Sequence, residues 1–293
     1  MPQPLSRIVS QLKSEPSRTG SLIVTVFGDA VVPRGGTVWL GTLLEFFAGL
    51  DIDGGVVRTA MSRLTAEGWF ERTKSGRNSF YRLTRRGEQT FAAATRHIYD
   101  SPPSEWNGSF ELLLIGSADD REQARTALRD AGFGSPLPGV FVAPSRIAVP
   151  DAAEGAIRLQ ASAGSDMARR LVAESWALER TAEAYRKFSA SFAPLRFTMD
   201  RGEALSDSQA FTARILLIHH YRRIVLRDPQ LPVELLPKDW PGRQARALCG
   251  EIYRLLLPGS ERWLDDHATN EEGPLPPAGA ALTGRFAGDA EPL

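Results

Sequence analysis

Arg58, Thr59, Ser62 and Arg63 lie within the stretch GGVVRTAMSRLTAEGWF, from Gly54 to Phe70, and their spacing suits contact with nucleic acid. An arginine can make a bidentate contact to guanine O6 and N7, and Ser or Thr hydroxyls bond phosphates or base edges. Gly54 and Gly55 precede them. Small residues there let a helix N-terminus, with its unpaired N–H groups, come close to a phosphate. Val57, Ala60, Met61 and Leu64 repeat at i, i+3, i+4 and i+7, so they form the buried stripe of the same helix. Gly55, Arg58, Thr59, Ser62 and Arg63 share the opposite side, with no acid among them.

A charged helix face is most often only a solvated face. Two further features favour contact. WFERTKSGRNSFYRLT reads as two short strands around a turn at Ser75–Asn78, which would present Lys74, Arg77 and Asn78 at a hairpin tip. Between Gly54 and Arg86 eight basic residues stand against two acidic ones, in a chain whose formal net charge is zero. Such local concentration of positive charge is the footprint of nucleic-acid binding. Trp69, Phe80 and Tyr81 are expected to be hairpin core.

Other chemistry has less support. His219 and His220 are adjacent, so on a helix they point about 100° apart and cannot easily share a metal; packing is their expected role. Cys249, the single cysteine, sits in an apolar helix with no His or Asp at triad-like placement. One cysteine excludes an intrachain disulfide framework and fits a reducing compartment. No apolar run approaches the ~20 residues of a membrane span, and the N-terminal segment lacks a signal-type apolar core. A cytoplasmic protein without membrane contact, metal or bound cofactor is expected.

The elements that position these residues follow from periodicity and breakers. Residues 1–19 read as a flexible polar arm, and 20–100 as a winged helix-turn-helix. Its first helix begins at Ser21, its second runs through TVWLGTLLEFFAGL with Thr37 as cap, and the Gly54 helix is third. The hairpin follows, and a fourth helix capped by Thr84 runs to about Tyr99. SPPSEWNG reads as a linker. Residues 106–175 give most of a βαββαβ ferredoxin-like unit, with strands at SFELLLIG, GVFVAPS and AIRLQAS and no identifiable last strand. Residues 176–265 read as a helical domain, with helices ending at Pro194 and Leu257 and the segment RDPQLPVELLPKDWPG packed against them. Residues 266–293 read as a disordered tail. The fold class is α+β and multidomain.

The motifs LIVTVFGDAVVPRGGTVWLGTLL, VVRTAMSRLTAEGWFERTKSGRNSFYRLTRRG, LIHHYRRIVLRDPQLPVELLPKDWPG and IYRLLLPG occur in order over about residues 21–264. Together they resemble the PaaX family, bacterial repressors of phenylacetic acid catabolism. The resemblance implies a transcriptional repressor with a winged-helix N-domain, a central domain similar to the Cas2 nuclease fold and a helical C-terminal domain; with the Gly54 helix as reader, a homodimer on roughly palindromic operator DNA is expected. The resemblance also implies an inducer, an aryl-CoA or acyl-CoA such as phenylacetyl-CoA, that releases the protein from the operator. The DNA-reading role falls on Gly55, Arg58, Thr59, Ser62, Arg63, Lys74, Arg77 and Asn78. Candidate ligand residues are Tyr221, Arg222, Arg223, Arg227 and Trp240, the arginines serving CoA phosphates or, as the favoured alternative, pairing with acids at a domain interface. Two other readings stay open: an architectural DNA binder without a ligand, and a metal-dependent nuclease using Glu111, Asp119 or Asp120 of the Cas2-like domain. The expected place of those acids is a strand's polar side and a helix N-terminus, and fold does not carry activity.

Overall fold

The computed structural model describes residues 1–13, 19–100, 106–116, 121–144 and 147–287. It is mixed helix and sheet, in two compact units. One unit gathers residues 1–100, 187–223 and 243 onward; the other gathers 101–186 and 224–242.

The first unit opens on α1 (Gln3–Lys13), where a polar arm was expected. Leu5, Ile8, Val9 and Leu12 repeat at helical spacing and are buried, which is enough to fix a short helix. α2 (Thr19–Val26) continues into a π-helical turn, Phe27–Val31, and a 3-10 turn, Val32–Arg34. β1 (Thr37–Trp39) takes the residues expected to start the second helix, because Thr37, Val38 and Trp39 pair with Arg82, Tyr81 and Phe80. α3 (Leu40–Ala48) and α4 (Gly54–Ala66) follow, then β2 (Phe70–Ser75), β3 (Asn78–Leu83) and α5 (Arg85–Tyr99). The sheet order is β1-β3-β2. Thr84 caps α5, its hydroxyl accepting from Gly87 N at 3.1 Å while donating to the Gly68 carbonyl at 2.7 Å.

The second unit holds β4 (Ser109–Leu114), α6 (Arg121–Asp130), β5 (Gly134–Leu137), β6 (Val140–Pro144), β7 (Ile157–Ser162) and α7 (Ser165–Ser175). The antiparallel order is β5-β6-β4-β7. AIRLQAS is therefore the last strand, and the one missing from the sequence reading is β5, disguised by Gly134 and Pro136. The second helix of a βαββαβ unit is reduced to a 3-10 turn, Asp151–Ala153. Strand alternation sends Leu113, Phe141 and Ala143 to one face, against α6 and Ala153. Phe110 and Val142 face the other way, against Ala168 and Val172 of α7 and against Leu231 and Leu235. The proline-rich segment thus packs on the sheet and α7 as well as on Leu178 and Tyr185 of the helical region expected to receive it; it holds only a 3-10 turn, Val233–Leu235.

α8 (Leu178–Asp200), α9 (Asp207–Val225) and α10 (Gly242–His267) complete the long helices. α8 and α10 run through Pro194 and Pro258, where breaks were expected. Each proline removes one backbone bond, but burial of Leu195 behind the first and of Trp263 and Leu264 behind the second keeps the helix docked. Residues 266–287, expected to be disordered, form β8 (Thr269–Asn270), β9 (Gly273–Pro274) and α11 (Ala280–Thr283). Leu275, Leu282 and Phe286 are buried there. The helices read as one C-terminal domain are divided between the two units. No helix among the described residues is long and apolar enough to cross a membrane.

Candidate nucleic-acid interface

α4 starts where the sequence demands it. The Asp53 carboxylate accepts from Gly55 N at 2.7 Å, capping the first turn. A tight turn, with Asp51 at φ 57°, connects it to α3. Val57, Ala60, Met61 and Leu64 are buried, while Gly55, Arg58, Thr59, Ser62 and Arg63 are exposed. The helix thus spends its apolar stripe on the core and leaves the other side to solvent.

The exposed side is divided between two flanks. Arg58, Ser62 and Thr65 line a concavity of about 720 Å³, whose other wall is the β2–β3 hairpin with Arg72, Arg77, Asn78 and Ser79. Trp39 and Leu44 form part of its floor. The Arg58 guanidinium lies along the start of α4, so close that a Cβ on Gly54 would sit 3.1 Å from its Nη1. Arg63 leans the other way: a Cβ on Gly20 of α2 would meet its Nη2 at 2.7 Å, and its Nε is 3.6 Å from Glu67. Arg58 and Arg63 are five residues apart, about 140° around the helix. They do not act on one spot.

The hairpin register pairs Ser75 with Asn78, leaving Gly76 and Arg77 as a two-residue loop. Gly76 has φ +59°, which a glycine adopts without strain. Lys74, Arg77 and Asn78 are exposed at the tip, and Phe80 and Tyr81 are buried at its base. Arg72 stands opposite Tyr81 on the wall facing α4. Sequence reading counted Arg72 in the charge excess without assigning it a place; its alternation with Lys74 along β2 was the available signal.

The residues considered for a ligand are each described within their own unit. Tyr221, Arg222 and Arg223 belong to the first unit, Arg227 and Trp240 to the second. Tyr221 is buried, with its ring 5.5 Å from Phe188 and 6.1 Å from Phe286. Arg222 directs Nε to Thr25 Oγ1 at 2.7 Å and Nη2 to the Ser21 carbonyl and hydroxyl at 2.8 and 2.7 Å. Its partners are therefore neutral groups of α2, neither phosphates nor acids. Burial, with Arg223 beside it, pushes its pKa down to about 10. Trp240 packs edge-on to Tyr185 at 6.1 Å, and Tyr185 donates to Asp228 at 2.7 Å. His219 Nδ1 is 3.2 Å from Thr25 Oγ1, and Cys249 is buried. Glu111 pairs with Arg158 across the β4–β7 ladder at 2.5 Å; Asp119 and Asp120 lie outside the described residues. No group of three or more potential metal ligands occurs among the described residues.

The first unit also holds a buried polar cluster that sequence reading missed. Asp29, on the π-helical turn after α2, is 1% exposed. Its Oδ2 accepts from Arg214 Nε at 2.6 Å. Its Oδ1 accepts from Arg285 Nη1 at 2.7 Å, Tyr99 at 2.6 Å and Tyr253 at 3.0 Å. Burial alone would raise the Asp29 pKa, but Arg214, Arg285 and the two hydroxyls outweigh it and hold the carboxyl below its usual range. Arg214 also bonds Glu261 at 2.5 Å, and Glu261 accepts from Arg34 at 3.0 Å. The signal was present: Asp29 is the one charge between Thr19 and Val31, and Arg214 the one charge between Phe211 and Ile218.

Comparison with known proteins places these features in a lineage. Residues 18–87 match the family model described as PaaX-like protein, and residues 176–266 that described as PaaX-like protein C-terminal domain. The transcriptional repressor PaaX of Escherichia coli (strain K12) is 34% identical over 283 residues, covering 92% of this chain and 90% of that protein. Among solved structures, an uncharacterized protein, Rv0674, from Mycobacterium tuberculosis superposes with a TM-score of 0.53 at 24% identity. It covers 75% of this chain and 89% of its own, and the likeness is one of fold.

Proposed function

The chain belongs to the PaaX family of transcriptional repressors, and from that premise we propose that it represses by reading operator DNA with α4 and the β2–β3 hairpin. In this reading α2, α3, α4 and the three-stranded sheet are a winged helix-turn-helix, with α4 in the major groove and the wing on the flanking backbone. The observation that carries it is the basic concavity shared by Arg58 on α4 and Arg72 and Arg77 on the wing. It is concave toward a rod-like anion, and its walls offer hydroxyl and amide groups besides cations. The second unit is read as a ferredoxin-like sheet, similar to the Cas2 fold, that has lost its second helix.

The full reading is a cytoplasmic homodimer on a roughly palindromic operator, released when an aryl-CoA or acyl-CoA inducer binds better to a form whose two reading heads are misplaced. Family membership supports the inducer class.

The test is binding to the promoter DNA adjoining the gene, followed by fluorescence anisotropy. Arg58→Ala is expected to lose about 1–3 kcal/mol on its specific site and little on unrelated DNA. Equal affinity of variant and wild type for the specific site would remove α4 as the reader. A thermal-shift screen of aryl- and acyl-CoA esters, with and without that DNA, tests the inducer.

A further inference from the structure

One side chain on the exposed part of α4 is out of keeping with its neighbours. Val56 is 48% exposed, the one large apolar residue left to solvent among the described residues of α4 and the β2–β3 hairpin. It stands outside the buried stripe of Val57, Ala60, Met61 and Leu64. Nor does it serve the helix. With Asp53 as cap it is the third helical residue, where Glu or Gln would close a capping box and an acid would suit the helix dipole. A β-branched residue there also costs some helix propensity. Gly54 and Gly55 before it carry no side chains to shield it.

We infer that Val56 reads thymine: its isopropyl group packs on the C5-methyl of a thymine in the major groove, which makes it a specificity-determining residue beside Arg58. The inference rests on the placing of α4 in the major groove proposed above. The surroundings of Val56 call for an anionic occupant. Arg58 and Arg63 flank it, and between Gly54 and Arg86 eight basic residues stand against two acidic ones. Among the base-edge groups that duplex DNA presents in its major groove, the thymine C5-methyl is the apolar one. An apolar side chain amid cations is what a polyanion carrying such a methyl would select.

The position agrees with the chemistry. N-terminal residues of a recognition helix are the ones that reach base edges, and Val56 is on the first turn of α4. Val56 and Arg58 are about 200° apart around the helix and about 3 Å apart along its axis. They therefore reach opposite sides of the groove. The valine is on the flank of Arg63, seven residues on, and Arg58 is on the flank of the wing. Thr59, exposed and three residues after Val56, offers a second methyl one turn further along. Each half-site is thus expected to hold a guanine for Arg58 and, across the groove from it, a thymine for Val56.

The test uses the full-length protein and the promoter DNA adjoining the gene. Thymines are replaced one at a time by deoxyuridine, which removes the methyl and leaves every hydrogen-bonding group in place. Wild type is expected to bind about fourfold more weakly when the thymine facing Val56 loses its methyl, the ratio that ~0.8 kcal/mol for one buried methyl makes. Val56→Ser exchanges the isopropyl group for a hydroxyl and leaves folding alone, since the side chain is half exposed and Ser and Val have similar helix propensity. The variant should bind unmodified DNA about as weakly as wild type binds the uracil form, and should not respond to uracil at that position. Indifference of wild type to uracil at every position, or equal sensitivity in Val56→Ser, would overturn the inference. The reading it rests on fails in a different way: Arg58→Ala would bind the specific DNA as tightly as wild type does. Loss of specific binding in Arg58→Ala together with silent uracils would leave α4 as the reader and remove Val56 alone.

Discussion

Arg58 and Arg63 share a helix side in the sequence, and the structure turns them apart. Arg58 faces the wing across the concavity; Arg63 leans over Gly20 and toward Glu67. On the proposed reading the division separates base reading from backbone contact. Arg63→Ala is expected to weaken binding to specific and unrelated DNA alike and to lower the salt slope by about one, leaving the specificity ratio unchanged. Arg77→Ala at the wing tip should do the same. Titrating each variant against both DNAs from low to moderate salt separates the roles, and a changed specificity ratio for Arg63→Ala would assign it to a base. The residue types and the buried stripe of α4 were legible because helical periodicity is local. The divergence of the two arginines was not, because it depends on Gly20 and on the wing, elements that the periodicity of α4 does not describe.

At the scale of elements, the decisive piece is the π-helical turn after α2, which places Asp29 among Arg214, Arg285, Tyr99 and Tyr253. Removing one partner of a buried ion cluster leaves the others uncompensated. Asp29→Asn should therefore cost about 3–5 kcal/mol in urea unfolding at pH 7. The pH dependence has a definite sign. The folded pKa of Asp29 is depressed, so its contribution is complete above the unfolded value of about 4 and lost as pH falls through the folded one. The gap between wild type and variant should narrow below about pH 4; a gap constant to pH 3 would show that the carboxylate charge is not what matters. Other misreadings have the same origin. β5 was hidden by Pro136, and α8 and α10 pass through prolines, because tertiary packing overrode a local rule. α1 was the exception: its apolar spacing was in plain view, and the polar residues around it drew the arm reading.

For the whole molecule, the sequence suggests domains in chain order, whereas the first unit is assembled from three separated segments. Arg246 illustrates why: from α10 it donates to the carbonyls of Ile98 and Tyr99 at the end of α5, at 3.1 and 2.8 Å. Such pairings, 148 and 147 residues apart, leave no periodic trace. A fragment of residues 1–100 is thus expected not to fold as an independent head, since Asp29 would lose both Arg214 and Arg285. Amide dispersion or circular dichroism of that fragment checks this, and a cooperative native-like melt would refute it. Phe286→Ala in the full chain should cost about 3–5 kcal/mol, because the ring is fully buried against Tyr99, Tyr221 and Tyr253.

The link between Asp29 and Arg285 also sets an order of events during synthesis. The two residues are 256 positions apart. At the ~5–20 residues per second of translation, roughly 13–50 s pass between them at the ribosome. Throughout that interval the carboxylate of Asp29 has at most Arg214 as a cation, and the aromatic seat for Phe286 stands empty. On the proposed reading, the DNA-reading head is therefore finished only when translation has passed Arg285. A premature stop codon before Arg285 is therefore expected to yield an unlocked head, more open to proteolysis than the full chain and unable to compete for the operator.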